Sequence, residues 1–79
     1  LIVHVSDLPA ARELSSAWPN AAETLARAFW PGPLSLVVAK ADCVPDLVTA
    51  GGPTTALRVP AHPTALALLQ TLGRPLAAP

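Results

Sequence analysis

The 79 residues carry five Lys and Arg against five Asp and Glu, so the formal charge at pH 7 is zero and nothing marks a polyanion-binding surface. At 52% hydrophobic and 13% charged, with a mean hydropathy of +0.48, the chain is too apolar for disorder, which needs low hydrophobicity and high net charge. No apolar run approaches the ~18–20 residues that span a bilayer, and a lone Cys43 excludes an internal disulfide, in keeping with a cytoplasmic protein.

Residues 1–5, LIVHV, are β-branched and apolar apart from His4 and predict a strand buried on both faces. Ser6 or Asp7 suits the cap of a following helix, with Pro9 tolerated in its first turn and Leu8, Ala11 and Leu14 on its apolar side. Pro19, in SAWPN, stops that helix because proline lacks the N–H a helix interior uses. Asn20 then reads as the cap of a second helix, with Glu23 completing a capping box. Ala22, Leu25, Ala26 and Phe29 recur on one side of it, and Arg27 follows Glu23 at ion-pair spacing. The helix must end at the prolines of FWPGPLSLVV, where Phe29 is expected to anchor the helix face and Trp30 to cover the junction.

Beyond that turn, residues 34–39 predict a strand, 40–45 a polar loop, and 46–50 a short helical turn closed by Gly51 and Gly52. TALRV, residues 55–59, predicts a strand that Pro60 ends. Pro63 opens a last helix over 64–72, stopped by Gly73, and PLAA begins a final strand. The uncharged helix TALALLQTL is apolar nearly all round, which predicts burial on more than one side. This order places the chain in the α/β (α+β) class, a twisted mixed sheet with flanking helices. The chain has no initiator Met and runs from one strand-like stretch to another. With so much apolar surface for its size, it reads as an internal piece of a longer protein, covered by the remainder or by another subunit.

Two residues stand out for chemistry. His4, in an apolar strand, is either a core histidine holding one hydrogen bond or an imidazole aimed into a pocket at the sheet face. Arg58, between Leu57 and Val59, cannot be buried without an anion or a carbonyl partner. Its planar fork suits a carboxylate or phosphate; the alternatives are an exposed strand face or a structural ion pair. His62 fits a surface or helix-cap position. The TAGG segment could offer backbone amides to an anion, although neither GxxxxGK[ST] nor GxGxxG is present. One Cys and two distant His make no metal site, and no Ser-His-Asp elbow is spaced for nucleophilic catalysis.

Taken together, LIVHV, FWPGPLSLVV, VPDLVTAGGPTTALRVPAHP and GRPLAAP resemble the YrdC-like family, the L-threonylcarbamoyladenylate synthases, in order along essentially the whole chain. The resemblance implies an open, twisted α/β fold with a large cavity, incomplete here. Residues 1–79 would form the central part of a single YrdC-like domain, lacking its N-terminal and C-terminal portions. It implies a nucleotidyltransferase in which L-threonine, bicarbonate and ATP with magnesium give threonylcarbamoyl-AMP and pyrophosphate, on the way to the threonylcarbamoyladenosine of tRNA. The downstream partner would be the tRNA-modification machinery.

By the same resemblance, His4 matches the histidine of an IVH motif near the bound threonine. Arg58 matches the arginine of a VRVP motif facing the threonine or its carbamate carboxylate. Ser35, Ala56 and Pro60 are implied pocket lining, and no residue is implied to act as a covalent catalyst. Ser35 stands where the family usually has Thr in WPGPLT, whereas Pro53 and Thr55 depart from LDTVAVR. The family's Lys-x-Arg and Ser-x-Asn motifs fall outside these residues. The piece alone is therefore expected to hold no cofactor and to be inactive, although its parent would be an enzyme. Other readings are a double-stranded RNA-binding, ribosome-maturation (translation factor) module, which the neutral charge disfavours, a carbamoyl-transfer domain of hydrogenase maturation proteins, and a structural relic. Exposed apolar faces would favour self-association of the piece on its own.

Overall fold

Alternation along the strands decides which side of the sheet is core. The computed structural model describes residues 1–79. In chain order the elements are β1 (Ile2–His4), α1 (Leu8–Glu13), β2 (Ser15–Ala17), α2 (Asn20–Phe29), β3 (Leu36–Lys40), α3 (Asp46–Thr49), β4 (Thr54–Arg58), α4 (Pro63–Leu72) and β5 (Leu76–Ala78). The strands form one five-stranded sheet in the order β2-β3-β4-β1-β5. β1 and β4 are parallel, and every other neighbouring pair is antiparallel. No helix is long and apolar enough to cross a membrane.

Val3, Val5, Leu36, Val38, Leu57 and Val59 share one face and are buried against Ala11 of α1 and Ala22 and Ala26 of α2. The residues between them, among them Ile2, His4, Val37, Ala56 and Arg58, take the other face and are half-buried or open. β1 is thus buried on one face, not on both as its unbroken apolar run predicts. The second face is covered only in part, and Val37 at its middle is 68% exposed. α4 is likewise buried along a single line, at Leu69, while Leu68 is 55% exposed, so its all-round apolar sequence does not translate into all-round burial. In α2 the alanines make the close approach to the sheet. Phe29, expected as the anchor, is 57% exposed, and Leu25 is also open.

Local signals set most element ends. Asp7 caps α1, its Oδ1 accepting from the Ala10 amide at 2.9 Å. The short strand β2 was not expected. It pairs with β3 around a bulge, and the Ser15 hydroxyl donates to the Ala39 carbonyl at 2.9 Å. β3 extends one residue past the expected end to take in Lys40, whose ammonium donates to the Val44 carbonyl and pairs with Asp46, both at 2.9 Å. That anchor pulls Val44 out of a nominally polar loop into burial.

The capping box at Asn20 does not form. Pro19 takes the cap position and Asn20 is the first helical residue, which leaves the Glu23 carboxylate free for other donors. It accepts from Arg12 through Nε at 2.9 Å and Nη2 at 2.6 Å, from Arg27 Nε at 2.6 Å, and from the Trp18 indole at 2.9 Å. Glu23 therefore ties α1, the β2–α2 connection and α2 together. The Arg12 hydrogen bonds, followed by that from Arg27, lower its pKa from 4.5 to about 2. A carboxylate depressed in the folded state stabilises fully above its unfolded pKa and loses that contribution as pH falls through the folded value. Glu23→Gln is accordingly expected to lower the thermal midpoint at pH 7. The gap to the parent should narrow between pH 4.5 and about 2; a gap constant over that range in melting curves would contradict this.

Candidate functional site

The pairing of three strands assembles the candidate residues in a line. β1 and β4 run side by side in parallel, with His4 opposite Arg58 and Ile2 opposite Ala56. On the far side of β4, Leu36 of β3 faces Leu57, and continuing that antiparallel pairing by one residue sets Ser35 across from Arg58. On the far side of β1, Leu76 of β5 faces His4. A row Ser35, Arg58, His4, Leu76 thus crosses the open face of the sheet at one end. Beside it runs an apolar row, Val37, Ala56, Ile2 and Ala78.

Arg58 is half-buried, and its Nε donates to the Gly32 carbonyl at 3.0 Å. The carbonyl partner that a strand-embedded arginine requires is therefore supplied by the helix-to-strand turn. No carboxylate pairs with it; the ion pairs of the chain are Arg12 and Arg27 with Glu23 and Lys40 with Asp46. The turn is fixed from several sides. The Gly32 amide donates to the Val59 carbonyl at 2.8 Å, and the Trp30 indole donates to the Leu34 carbonyl at 2.7 Å. The peptide between Trp30 and Pro31 is cis. The Trp30 ring is half-buried against the core beside Trp18, with ring centroids 6.4 Å apart. Trp30 thus covers the junction as the sequence predicts, without help from Phe29.

Of the two histidines, only His62 is hydrogen-bonded through its ring, accepting from the Thr64 amide at 3.2 Å as the cap of α4. His4 is half-buried and lines a hollow of about 220 Å³ with Pro60, Leu76 and the α4 residues Ala65, Leu68 and Leu69. It is the sole polar side chain there. Ala56 opens instead into a second hollow, of about 300 Å³, beside Val37, Val48 and Thr54. Neither hollow includes Arg58 or Ser35. The fold therefore gathers the five candidates at one sheet face but does not enclose them in a single pocket. The largest hollow, about 570 Å³, lies elsewhere, among Val3, Leu14, Cys43, Val44 and Arg74.

The TAGG amides are not free for an anion: Gly51 N–H donates to Asp46 and Gly52 N–H to Thr49, both to carbonyls within the turn. What sequence reading missed is the contact between Gly32 and Arg58. They lie 26 residues apart, and the only local hint was a glycine between two prolines.

A family model, Sua5_yciO_yrdC, described as telomere recombination, matches residues 1–79. The chain belongs to the Sua5/YrdC family. Among the family's curated members, it is 46% identical to the threonylcarbamoyl-AMP synthase of Pyrococcus abyssi over 79 residues, covering 100% of this chain and 23% of that protein. It is also 46% identical to the Bacillus subtilis threonylcarbamoyl-AMP synthase, again over 100% of this chain and 23% of the relative. The fold superposes on the crystal structure of P. abyssi Sua5 complexed with L-threonine with a TM-score of 0.97 at 46% identity, over 100% of this chain and 23% of that one. A double-variant structure of P. abyssi Sua5 gives 0.98 over the same shares. The chain thus spans about a quarter of the length of the Sua5/YrdC relatives it matches, and over that span the mixed sheet and its helices are the Sua5 fold.

Proposed function

We propose that residues 1–79 form the central part of a single YrdC-like domain in a threonylcarbamoyl-AMP synthase, and that the open sheet face carries its threonine end. The observation that carries this reading is the likeness, over the whole chain, to P. abyssi Sua5 complexed with L-threonine. In this reading Arg58 holds the carboxylate of threonine or of its carbamate. His4 lies beside it over the hollow, and Ser35, Ala56 and Pro60 line the surround.

Threonine's amine combines with bicarbonate, losing water, to give a carbamate. The carbamate oxygen then displaces pyrophosphate from the α-phosphate of ATP, leaving threonylcarbamoyl-AMP. No covalent nucleophile is needed, so the protein's work is to align the carboxylate, the carbamate and the phosphate. A triphosphate with its magnesium needs clustered cations or amide nests. Here Arg12 and Arg27 are held by Glu23, Lys40 by Asp46, and Arg58 by Gly32. That leaves only Arg74, exposed and without an ion pair, and a lone cation is not a cluster. The residues present do not fit the phosphates, which on this reading are held by other parts of the parent. With a formal net charge of zero and a single exposed, unpaired cation in Arg74, the chain offers no basic cluster to favour the RNA-binding alternative. A cytoplasmic place upstream of the tRNA-modification machinery follows from the proposed product.

In the complete protein, pyrophosphate release is expected to require L-threonine, bicarbonate and ATP together, and the 79 residues alone should release none. Release that is indifferent to threonine, or release by the 79 residues alone, would refute this reading.

A further inference from the structure

We propose that the turn at residues 30–34 is the positioning device for Arg58: the Gly32 carbonyl holds its Nε, so that the guanidinium meets a ligand carboxylate end-on, through its two Nη groups. The inference rests on the reading of Arg58 as the carboxylate site.

A guanidinium has two forks for a carboxylate, one between Nε and an Nη and one between the two Nη groups. In Arg58 the first is taken, because Nε donates to Gly32 at 3.0 Å. Only the end-on fork remains. The acceptor itself is fixed by bonds that do not involve Arg58. The Gly32 amide is clipped to Val59 at 2.8 Å and the Trp30 amide to Ala26 at 2.9 Å, while the Trp30 indole reaches Leu34 at 2.7 Å. The turn would thus keep its place without the arginine, and the bond to Nε orients the arginine. Glycine is required by the turn that presents this carbonyl, since a Cβ at position 32 would lie 2.6 Å from the Phe29 carbonyl oxygen, a backbone atom, and the turn would have to shift to admit it. Holding a long side chain in its binding rotamer before the ligand arrives removes part of the ordering cost of binding. Gly32 is therefore a positioning residue that acts through Arg58.

The test is calorimetric binding to the complete protein of L-threonine and of L-threoninol, which lacks the carboxylate. Gly32→Ala should weaken L-threonine by about tenfold or more and L-threoninol by no more than about twofold, because only the carboxylate uses the oriented fork. Equal losses for both ligands would overturn the proposal and leave a general structural role. Arg58→Ala separates the two readings: if it leaves threonine affinity unchanged, the carboxylate site itself is wrong. If it weakens threonine while a folded Gly32→Ala does not, only the positioning is wrong. Should Gly32→Ala not fold, side-chain nitrogen NMR of the unaltered protein decides. The Arg58 Nε–H should stay protected from exchange as L-threonine is added while the Nη signals shift. Loss of that protection on binding would overturn the proposal.

Discussion

Arg58→Ala in the complete protein is expected to lower kcat/KM for L-threonine by about 10- to 200-fold, the range for losing hydrogen bonds from a charged group to a carboxylate. Three features set that size. The guanidinium is half-buried, so its attraction for an anion is less screened than at an open surface. It has no carboxylate of its own to satisfy. The side chains directly across the sheet from it, His4 and Ser35, carry no second guanidinium and cannot replace its paired donors. Arg58→Lys should not restore the rate, because a single ammonium does not reproduce a planar fork and must choose between the Gly32 carbonyl and the ligand. Steady-state kinetics at saturating ATP and bicarbonate measure this. A change below about twofold for Arg58→Ala, less than one ordinary hydrogen bond contributes, would remove Arg58 from the site. His4→Ala should cost less, since the imidazole carries no planar charged fork and borders an otherwise apolar hollow that does not include Arg58.

What the sequence revealed of this fold divides by the range of the interaction that decides each feature. Helix and strand limits follow from residues that act within a turn of themselves. Asp7 caps α1, His62 caps α4 and Gly73 closes α4 at a φ of 68°, and each is readable from its neighbours. β2 was not readable. Three residues carry too little periodicity, and Ser15 is strand only because Lys40 lies across from it. Glu23 shows the same competition inside one residue. The local rule pairs it with Asn20 as a capping box, yet Arg12, 11 positions away, provides two hydrogen bonds and wins. At the site, the need of Arg58 for a carbonyl was legible from burial chemistry alone. The identity of that carbonyl, and the pairing that sets His4 opposite Arg58, depend on strand order and register, which no short window of sequence contains. Burial was overestimated for β1 and α4 because apolar sequence reports what a surface tolerates, while the layers present decide what is covered.

The strand that presents Arg58 also carries the most enclosed residue of the sheet, and the two are expected to separate in experiment. Leu57 is 0% exposed and is paired with Val3 on one side and Leu36 on the other, beneath the alanines of α1 and α2. Both flanking strands are fixed by backbone ladders, so the space left by a truncated side chain cannot close by moving one of them. Leu57→Ala should therefore destabilise by about 2–5 kcal/mol, the range for buried leucines whose surroundings do not collapse. Urea unfolding of the complete protein measures it, and a loss under about 1 kcal/mol would mean that the core is looser than its burial indicates. Because successive side chains on a strand point to opposite faces, the truncation lies behind the sheet from Arg58 and leaves the Gly32 contact untouched. At temperatures where Leu57→Ala is folded, its affinity for L-threonine should stay within about twofold of the parent, because independent sites contribute nearly additively. Arg58→Ala should behave the opposite way, losing affinity far more than stability. If both substitutions instead lower affinity in proportion to stability, the open face is not a site held in place by the core but a surface that responds only to the overall integrity of the sheet.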